Sequence, residues 1–206
     1  SECCNGVPFA HYWMHNGYIN VDNRKMSKSL NNFFTVREVA KEFGYEPIRY
    51  LMVASHYRSP INYSTELLKQ CAAALERLYT CRENLEFVIG NAQPGRGEED
   101  EEIWKRLEHY QDRFCNAMDD DLNTADGIAV LFDLAKDINT NLNTATNPHR
   151  EIAEEALKLF DSLAEVLGLL YAKKGAQGGD LDQEIESLIQ QRVEARKNKN
   201  WAEADR

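Results

Sequence analysis

Four stretches of apolar residues at helical spacing constrain the fold of this chain more than any other feature, and together they span residues 64–171. In each stretch the apolar side chains recur every three or four residues, which puts them on one face of an α-helix. Short polar or glycine-containing links separate the stretches, as in a helix bundle. The pattern predicts an antiparallel bundle of four helices with these apolar stripes: Leu68, Cys71, Leu75, Leu78, Leu85 and Ile89; Ile103, Leu107, Tyr110, Phe114 and Met118; Ile128, Leu131, Phe132, Ala135, Ile138 and Leu142; Ile152, Ala156, Leu159, Leu163, Val166 and Leu170.

The part of the chain before the bundle follows a different pattern. Residues 1–34 lack helical periodicity, and residues 18–21 alternate in the manner of a β-strand. Asp22 and Asn23 favour a turn, which predicts a short strand followed by a polar loop over residues 23–32. The predicted fold class is therefore mainly α, with a short strand-and-loop segment ahead of the antiparallel helix bundle.

Two short helices are predicted between the loop and the bundle. Thr35 and Glu38 have the spacing of a capping box, and Gly44 suits the end of that helix. Pro47 suits the first turn of a second helix. A turn at residues 56–60 then leads into the bundle.

Charge and composition describe an acidic globular protein. Apolar residues make up 43% of the 206 residues, charged residues make up 28%, and the net charge is −10. Bulk attraction therefore cannot hold a nucleic acid, and any RNA contact must come from local basic clusters. No apolar run is long enough for a membrane span, and no signal peptide is present. Five cysteines without a CxxC pair indicate free thiols in a reducing cytoplasm.

The C-terminal part predicts a connector and a further helix. Residues 172–180 contain three glycines and form a predicted flexible linker, and residues 181–206 begin a sixth amphipathic helix. The chain starts at Ser1 without a methionine and stops at Arg206 inside a helical pattern. These two features predict a fragment of a longer protein.

The sharpest chemical signal is the pentapeptide KMSKS at residues 25–29, in the polar loop directly after the predicted strand. Lys25 and Lys28 lie three residues apart, so both ammonium groups can reach one triphosphate from a mobile loop. Ser27, Ser29 and nearby backbone N–H groups can add neutral donors. Donors of this kind accelerate a reaction when they meet charge that develops in the transition state.

This pentapeptide resembles the signature loop of the class I aminoacyl-tRNA synthetases. Residues 13–22, 33–36, 56–60 and 118–124 also resemble the cysteinyl-tRNA synthetase family, and the resemblance extends over the whole chain. It implies a reaction in which cysteine and ATP give cysteinyl-adenylate and pyrophosphate, followed by transfer of the cysteinyl group to tRNA(Cys). It also implies a monomeric cytoplasmic enzyme that uses ATP with Mg²⁺.

The resemblance assigns roles and domains within this chain. Lys28 is expected to be the principal ATP contact, with Lys25 as a second catalytic lysine and Ser27 and Ser29 as further ATP-binding residues. The implied domains are the end of the catalytic fold with the signature loop (1–60), the tRNA-facing bundle (64–171), a linker (172–180) and the start of an anticodon-side helical region (181–206).

One departure from the family pattern limits what the chain can do alone. The family's other ATP motif, of the His-x-Gly-His type, is absent from the sequence, as are the residues that hold its catalytic zinc. Zinc in the complete enzyme, which would select sulfur over oxygen, is therefore expected to be bound through residues outside this chain. The chain alone is predicted to be inactive in adenylation.

Three other groups of residues each allow two interpretations. Cys3, Cys4, His11 and His15 suggest a zinc site, but adjacent cysteines are poor joint ligands, so free thiols and a surface histidine are the favoured interpretation. Residues 119–121, all aspartate, suggest either a magnesium site or a complement to a helix dipole with a cap. The turn at residues 56–58 offers rings and a guanidinium to RNA, or is an ordinary turn in which Arg58 pairs with an acidic neighbour.

Basic residues cluster only around the signature loop, at Arg24, Arg37 and Lys41. Arg24, Arg37 and Arg58 are therefore the candidate tRNA contacts. Three functions stay open on this reasoning: part of a cysteine–tRNA ligase, a cysteine-activating ligase of thiol biosynthesis, or a non-catalytic RNA-binding module. The predicted bundle argues against the second, and the intact pair of lysines argues against the third.

Overall fold

The computed structural model describes residues 1–27, 32–97, 100–145 and 148–171. In that part of the chain seven helices and three strands follow one another: α1 Glu2–Asn5, β1 Ile19–Val21, β2 Arg24–Lys25, α2 Val36–Phe43, α3 Tyr45–Val53, β3 Ile61–Tyr63, α4 Thr65–Asn91, α5 Asp100–Asp119, α6 Thr124–Asn141 and α7 Arg150–Val166. The predicted mainly α class is confirmed. The predicted linker and sixth helix lie outside the described residues.

Helices α4 to α7 pack into the predicted bundle and share one apolar core. Five of its best buried members come from the predicted stripes: Leu68, Leu78, Leu85, Leu131 and Ile138. Phe160 of α7 is equally buried but was not in the predicted stripe, whereas Val166, which was, is exposed. Burial of side chains of this size stabilises a fold by about 1.5–3 kcal/mol each, relative to leaving them exposed. Within the described residues, no helix combines the length and the apolar character that crossing a membrane requires.

Polar side chains set the starts of two bundle helices. The Ser64 hydroxyl accepts a hydrogen bond from the backbone N–H of Leu67 at 3.1 Å, and Asn123 accepts one from Asp126 at 3.2 Å. Both contacts satisfy N–H groups that have no partner inside the helix. The N-cap of α6 is thus Asn123.

A small sheet precedes the bundle, in the strand order β2-β1-β3. Strands β1 and β2 form an antiparallel hairpin in which Val21 faces Arg24. The turn between them consists of Asp22 and Asn23, both at positive φ of 48° and 59°, as a tight two-residue hairpin turn requires. Strand β3 pairs in parallel with β1, with Ile19 opposite Ile61. The sequence predicted β1 and its turn but missed β2, β3 and the four-residue α1.

The capping box at the start of α2 is confirmed in both directions. The Thr35 hydroxyl accepts from the Glu38 N–H at 3.2 Å, and the Glu38 carboxylate accepts from the Thr35 N–H at 2.7 Å. These hydrogen bonds hold the pKa of Glu38 below its usual value, with the Thr35 backbone contact as the largest cause. Gly44, at a φ of 76°, ends the helix as predicted.

We expect this capping box to make the first turn of α2 pH-dependent. Because the folded-state pKa of Glu38 is lowered, its contribution is present above the unfolded value of about 4.5 and is lost as the pH falls through the folded pKa. Amide exchange in the first turn of α2, followed from about pH 6 to about pH 3, should therefore accelerate beyond its intrinsic pH dependence. The Glu38→Gln variant keeps an amide oxygen as acceptor and should show no such transition. Equal profiles for both proteins would contradict the expectation.

A buried carboxylate joins three parts of the chain. Glu46, in the first turn of α3, accepts a hydrogen bond from the Tyr79 hydroxyl of α4 at 2.8 Å. Its other oxygen accepts from the backbone N–H of Leu170, just after α7, at 2.6 Å. Glu46 is only 7% exposed, so water does not replace these contacts easily. The carboxylate therefore fastens α3 to α4 and to the chain segment that follows α7.

Candidate functional site

The first lysine of the pentapeptide stands at the end of the hairpin. Lys25 is the last residue of β2 and pairs with Asn20 of β1, and its side chain is exposed. Ser27 follows and is half-buried. Lys28 and Ser29, the other two predicted ATP-binding residues, lie outside the described residues. The structure thus positions the base of the signature loop (residues 23–32) and Lys25 on it.

Asn32 closes the base of the signature loop from its other end. Its side-chain oxygen accepts from the Ser27 N–H at 2.8 Å, and its side-chain NH₂ donates to the Lys25 carbonyl at 3.1 Å. The side-chain amide of Asn32 therefore bonds to two backbone groups of the pentapeptide, one donor and one acceptor, as the backbone of a neighbouring β-strand does. Sequence reasoning placed Asn32 at the loop boundary but assigned it no role. The available signal was chemical, since asparagine side chains often bond to nearby backbone in loops.

The hairpin turn is fastened to β3. The Asn23 N–H donates to the Asn62 side chain at 2.7 Å, and the Asp22 N–H donates to the Tyr63 carbonyl at 3.2 Å. Beyond the loop, the Phe34 ring lies 4.6 Å from the Tyr63 ring, centroid to centroid. Strand β3 therefore holds both ends of the signature loop. The second lysine, Lys28, lies between those ends in the sequence.

The candidate RNA contacts lie on three different elements. Arg24 is exposed on β2, Arg37 is exposed on α2, and Arg58 lies in the turn before β3. The Arg58 guanidinium is 3.0 Å from the Asp121 carboxylate, which is the acidic partner that the ordinary-turn interpretation anticipated. The Tyr57 hydroxyl and, second, the Asp121 charge raise the pKa of Arg58. Its side chain is nevertheless 65% exposed, so the pairing leaves it accessible.

The aspartate run at residues 119–121 has a different arrangement from the predicted one. Asp119 is the last residue of α5, so it lies at the negative end of that helix and does not complement the dipole. The cap of α6 is Asn123, and Asp121 instead pairs with the turn at residues 56–58. None of the three aspartates therefore caps α6, and that part of the interpretation was wrong.

Metal ligation finds no support in the part of the chain that the structure describes. No group of three or more His, Cys, Asp or Glu side chains there is arranged to hold an ion. Cys3 and Cys4 are exposed, and all five cysteines are free, as predicted. Burial raises the pKa of Cys81 to about 11, which keeps that thiol protonated and unreactive.

Two family models match the chain. One, described as tRNA synthetases class I (C) catalytic domain, matches residues 1–73, which include the sheet and the signature loop. The other, described as a DALR domain, matches residues 113–171 and hence the end of α5 with α6 and α7. Curated proteins named Cysteine–tRNA ligase are similar along the whole chain: 46% identical in Clostridioides difficile strain 630 and 44% in Caldicellulosiruptor saccharolyticus. The chain is therefore similar over its whole length to part of the cysteine group of class I tRNA synthetases.

The match to these synthetases covers 100% of this chain but 43% of the length of each of the two curated relatives. Among solved structures, the fold resembles the ternary complex of LeuRS, tRNA and LeuAMS from Agrobacterium radiobacter K84. The TM-score is 0.60 at 23% identity, over 72% of this chain and 20% of that one. The likeness shows that this part of the chain shares its fold with that structure.

Proposed function

We propose that this chain is the part of a cysteine–tRNA ligase that carries the ATP-phosphate loop and the tRNA-facing helices. In the first step, a carboxylate oxygen of cysteine bonds to the α-phosphorus of ATP and pyrophosphate leaves. In the second, a hydroxyl of the terminal ribose of tRNA(Cys) bonds to the cysteinyl carbonyl carbon and AMP leaves. The observation that carries the proposal is the geometry at the base of the signature loop. The β1–β2 hairpin and the Asn32 side chain together present Lys25 there.

The two lysines and the loop backbone supply the chemistry of the first step. Lys25 is exposed on a two-residue strand that is held on both sides, so its ammonium group can reach a triphosphate without distorting the sheet. We assign Lys28 the closer contact and the larger role, as the resemblance to the class I signature loop implies. Its ammonium group would meet the charge that moves onto the pyrophosphate as the bond breaks. Ser27 and Ser29 complete the proposed ATP-binding set.

The proposal assigns no metal ion to the described residues of this chain. Magnesium accompanies ATP as the counter-ion of the triphosphate. The described residues contain no set of side chains that fits zinc, so we derive no step of the reaction through zinc here. Discrimination between cysteine and serine is assigned to residues outside this chain.

The tRNA-facing role rests on the bundle. The DALR-domain match over residues 113–171 supports a ligase that acts on tRNA over a cysteine-activating ligase of thiol biosynthesis. The candidate RNA contacts are Arg24, Arg37 and Arg58, which are exposed or partly exposed cations on an acidic protein. Because few charges are involved, we expect RNA binding by the chain to be weak and salt-sensitive.

The decisive experiment compares the 206-residue chain with a full-length protein that carries it. We expect the full-length protein to exchange pyrophosphate into ATP with cysteine and to charge a tRNA(Cys) transcript, and the chain alone to do neither. Serine serves as the amino-acid control, and an amino-sugar replaces tRNA as the acceptor control. Robust pyrophosphate exchange by the chain alone would contradict the proposal that adenylation needs residues outside this chain. Transfer to the amino-sugar but not to tRNA would favour the thiol-biosynthesis ligase.

A further inference from the structure

Three consecutive side chains of the turn before β3 converge on one carboxylate. The Tyr57 hydroxyl donates to Asp121 Oδ1 at 2.8 Å, and Arg58 Nη2 lies 3.0 Å from Oδ2. His56 Nε2 lies 3.7 Å from the same oxygen. Arg58 Nε also donates to the Tyr57 hydroxyl at 3.0 Å, which closes a ring of contacts around the guanidinium. Asp121 is thus the common partner of the whole turn.

The backbone of this turn is tied to the sheet that carries the signature loop. The Gly17 N–H donates to the Tyr57 carbonyl at 2.6 Å, and the Ile61 N–H donates to the Tyr18 carbonyl at 3.0 Å. A Cβ atom on Gly17 would lie only 2.3 Å from the Ser59 carbonyl oxygen, so the two segments approach as closely as glycine permits. The turn therefore occupies a fixed position, and the remaining freedom belongs to the long Arg58 side chain.

The position of Asp121 is equally fixed, at the junction between α5 and α6. Asp121 and Leu122 both have left-handed backbone, with φ of 56° and 55°, which is unusual for two successive residues with side chains. The Leu122 N–H donates to Met118 and the Asn123 N–H donates to Ala117, so the junction is hydrogen-bonded to the last turn of α5. This conformation projects the Asp121 carboxylate toward the turn.

We propose that Asp121 is a positioning residue, which orients Arg58 to receive a phosphate group of the RNA backbone. A guanidinium has five N–H donors, and the contacts to Tyr57 and Asp121 use its Nε and Nη2 atoms. The 65% exposure of the side chain leaves the rest of the fork accessible to a ligand. This inference rests on the proposed function, since it assumes that Arg58 contacts RNA.

The orienting role of Asp121 and its negative charge predict opposite changes in RNA affinity when Asp121 is neutralised. A carboxylate close to an RNA phosphate repels it, so a purely electrostatic view has binding improve when Asp121 is neutralised. A carboxylate that holds a flexible arginine in its bound geometry lowers the entropy cost of binding, so its neutralisation weakens binding. The sign of the change therefore separates the two effects.

The test measures binding of a tRNA(Cys) transcript to the 206-residue chain at low salt and across a salt series. We expect Asp121→Asn to weaken binding about two- to tenfold, which corresponds to ordering one long side chain. The matched control is Asp120→Asn, which removes the same charge one residue away and should leave binding unchanged or slightly tighter. Arg58→Gln should weaken binding about tenfold and lower the slope of log affinity against log salt by about one.

Two further variants make every outcome informative. In the Arg58→Gln background, Asp121→Asn should add no further loss, because the residue it orients is gone. Tyr57→Phe removes the hydroxyl between Asp121 and Arg58 without altering the left-handed junction, and should weaken binding about two- to fivefold even if Asp121→Asn fails to fold. If Arg58→Gln leaves binding unchanged, the RNA contact in the proposed function fails. If Arg58→Gln weakens binding but Asp121→Asn and Tyr57→Phe do not, only the positioning role is overturned.

Discussion

Replacing Lys28 by alanine in the full-length protein is expected to slow cysteinyl-adenylate formation by about 100- to 1,000-fold, the usual cost of losing one electrostatic contact to a transition state. The negative charge on the pyrophosphate group grows as its bond to the α-phosphorus breaks. An ammonium group on the signature loop stabilises that developing charge more than it stabilises bound ATP. The loss should therefore appear in kcat of pyrophosphate exchange, with little change in the KM for cysteine.

The controls for this experiment are the other lysines of the chain. Lys25→Ala should have a smaller effect, because we assign Lys25 the secondary ATP contact. Lys69→Ala removes an exposed lysine from α4, outside the proposed ATP site, and should leave the exchange rate unchanged. An unchanged kcat for Lys28→Ala, or a loss confined to the KM for cysteine, would remove Lys28 from the proposed mechanism.

Replacing Glu46 by alanine should destabilise the chain more than any other substitution we propose, by about 2–5 kcal/mol. The change leaves two buried donors without their acceptor, the Tyr79 hydroxyl and the Leu170 N–H. Each buried donor that loses its partner costs about 1–3 kcal/mol. Chemical denaturation of the 206-residue chain measures the free energy of unfolding directly.

Two milder variants separate the contributions at Glu46. Tyr79→Phe removes one donor but leaves the buried Glu46 Oε2 without that hydrogen bond, and should cost about 1–3 kcal/mol. Glu46→Gln keeps one acceptor oxygen and should fall between Tyr79→Phe and Glu46→Ala. If the free energy of unfolding of Glu46→Ala lies within about 0.5 kcal/mol of the wild-type value, the Glu46 carboxylate does not stabilise the fold.

Local patterns in the sequence predicted the bundle and the capping box of α2 correctly because these features depend on residues close together in the chain. Apolar side chains at a helical period identify a buried face without any knowledge of its neighbour, as Leu68, Leu78 and Leu85 of α4 illustrate. The Thr35–Glu38 capping box spans a single turn of helix. The pentapeptide was recognisable for the same reason, since its two lysines are separated by only two residues.

Strand β3 and the roles of Glu46 and Asp121, which were missed, depend on contacts between distant parts of the chain. Strand β3 has three residues, too few to show an alternating pattern, and it becomes a strand by pairing with β1. Glu46 looks like an ordinary acidic residue in the first turn of a helix until Tyr79 and Leu170 are brought to it. Asp121 looked like part of a helix cap, and only the fold shows that it pairs with Arg58. Of the proposed site, the sequence therefore predicted the reactive groups but not the side chains that hold the base of the loop.

The parallel pairing of β1 with β3 has a consequence for the order of events during synthesis. An isolated two-stranded hairpin is marginally stable in water, and the third strand of this sheet emerges about 40 residues after the first. At a synthesis rate of about 5–20 residues per second, the β1–β2 hairpin waits roughly 2–8 s for its partner strand. In that interval α2 and α3 have already been synthesised. The sheet that presents Lys25 is therefore completed only when β3 is made, and β3 directly precedes the first helix of the bundle, α4.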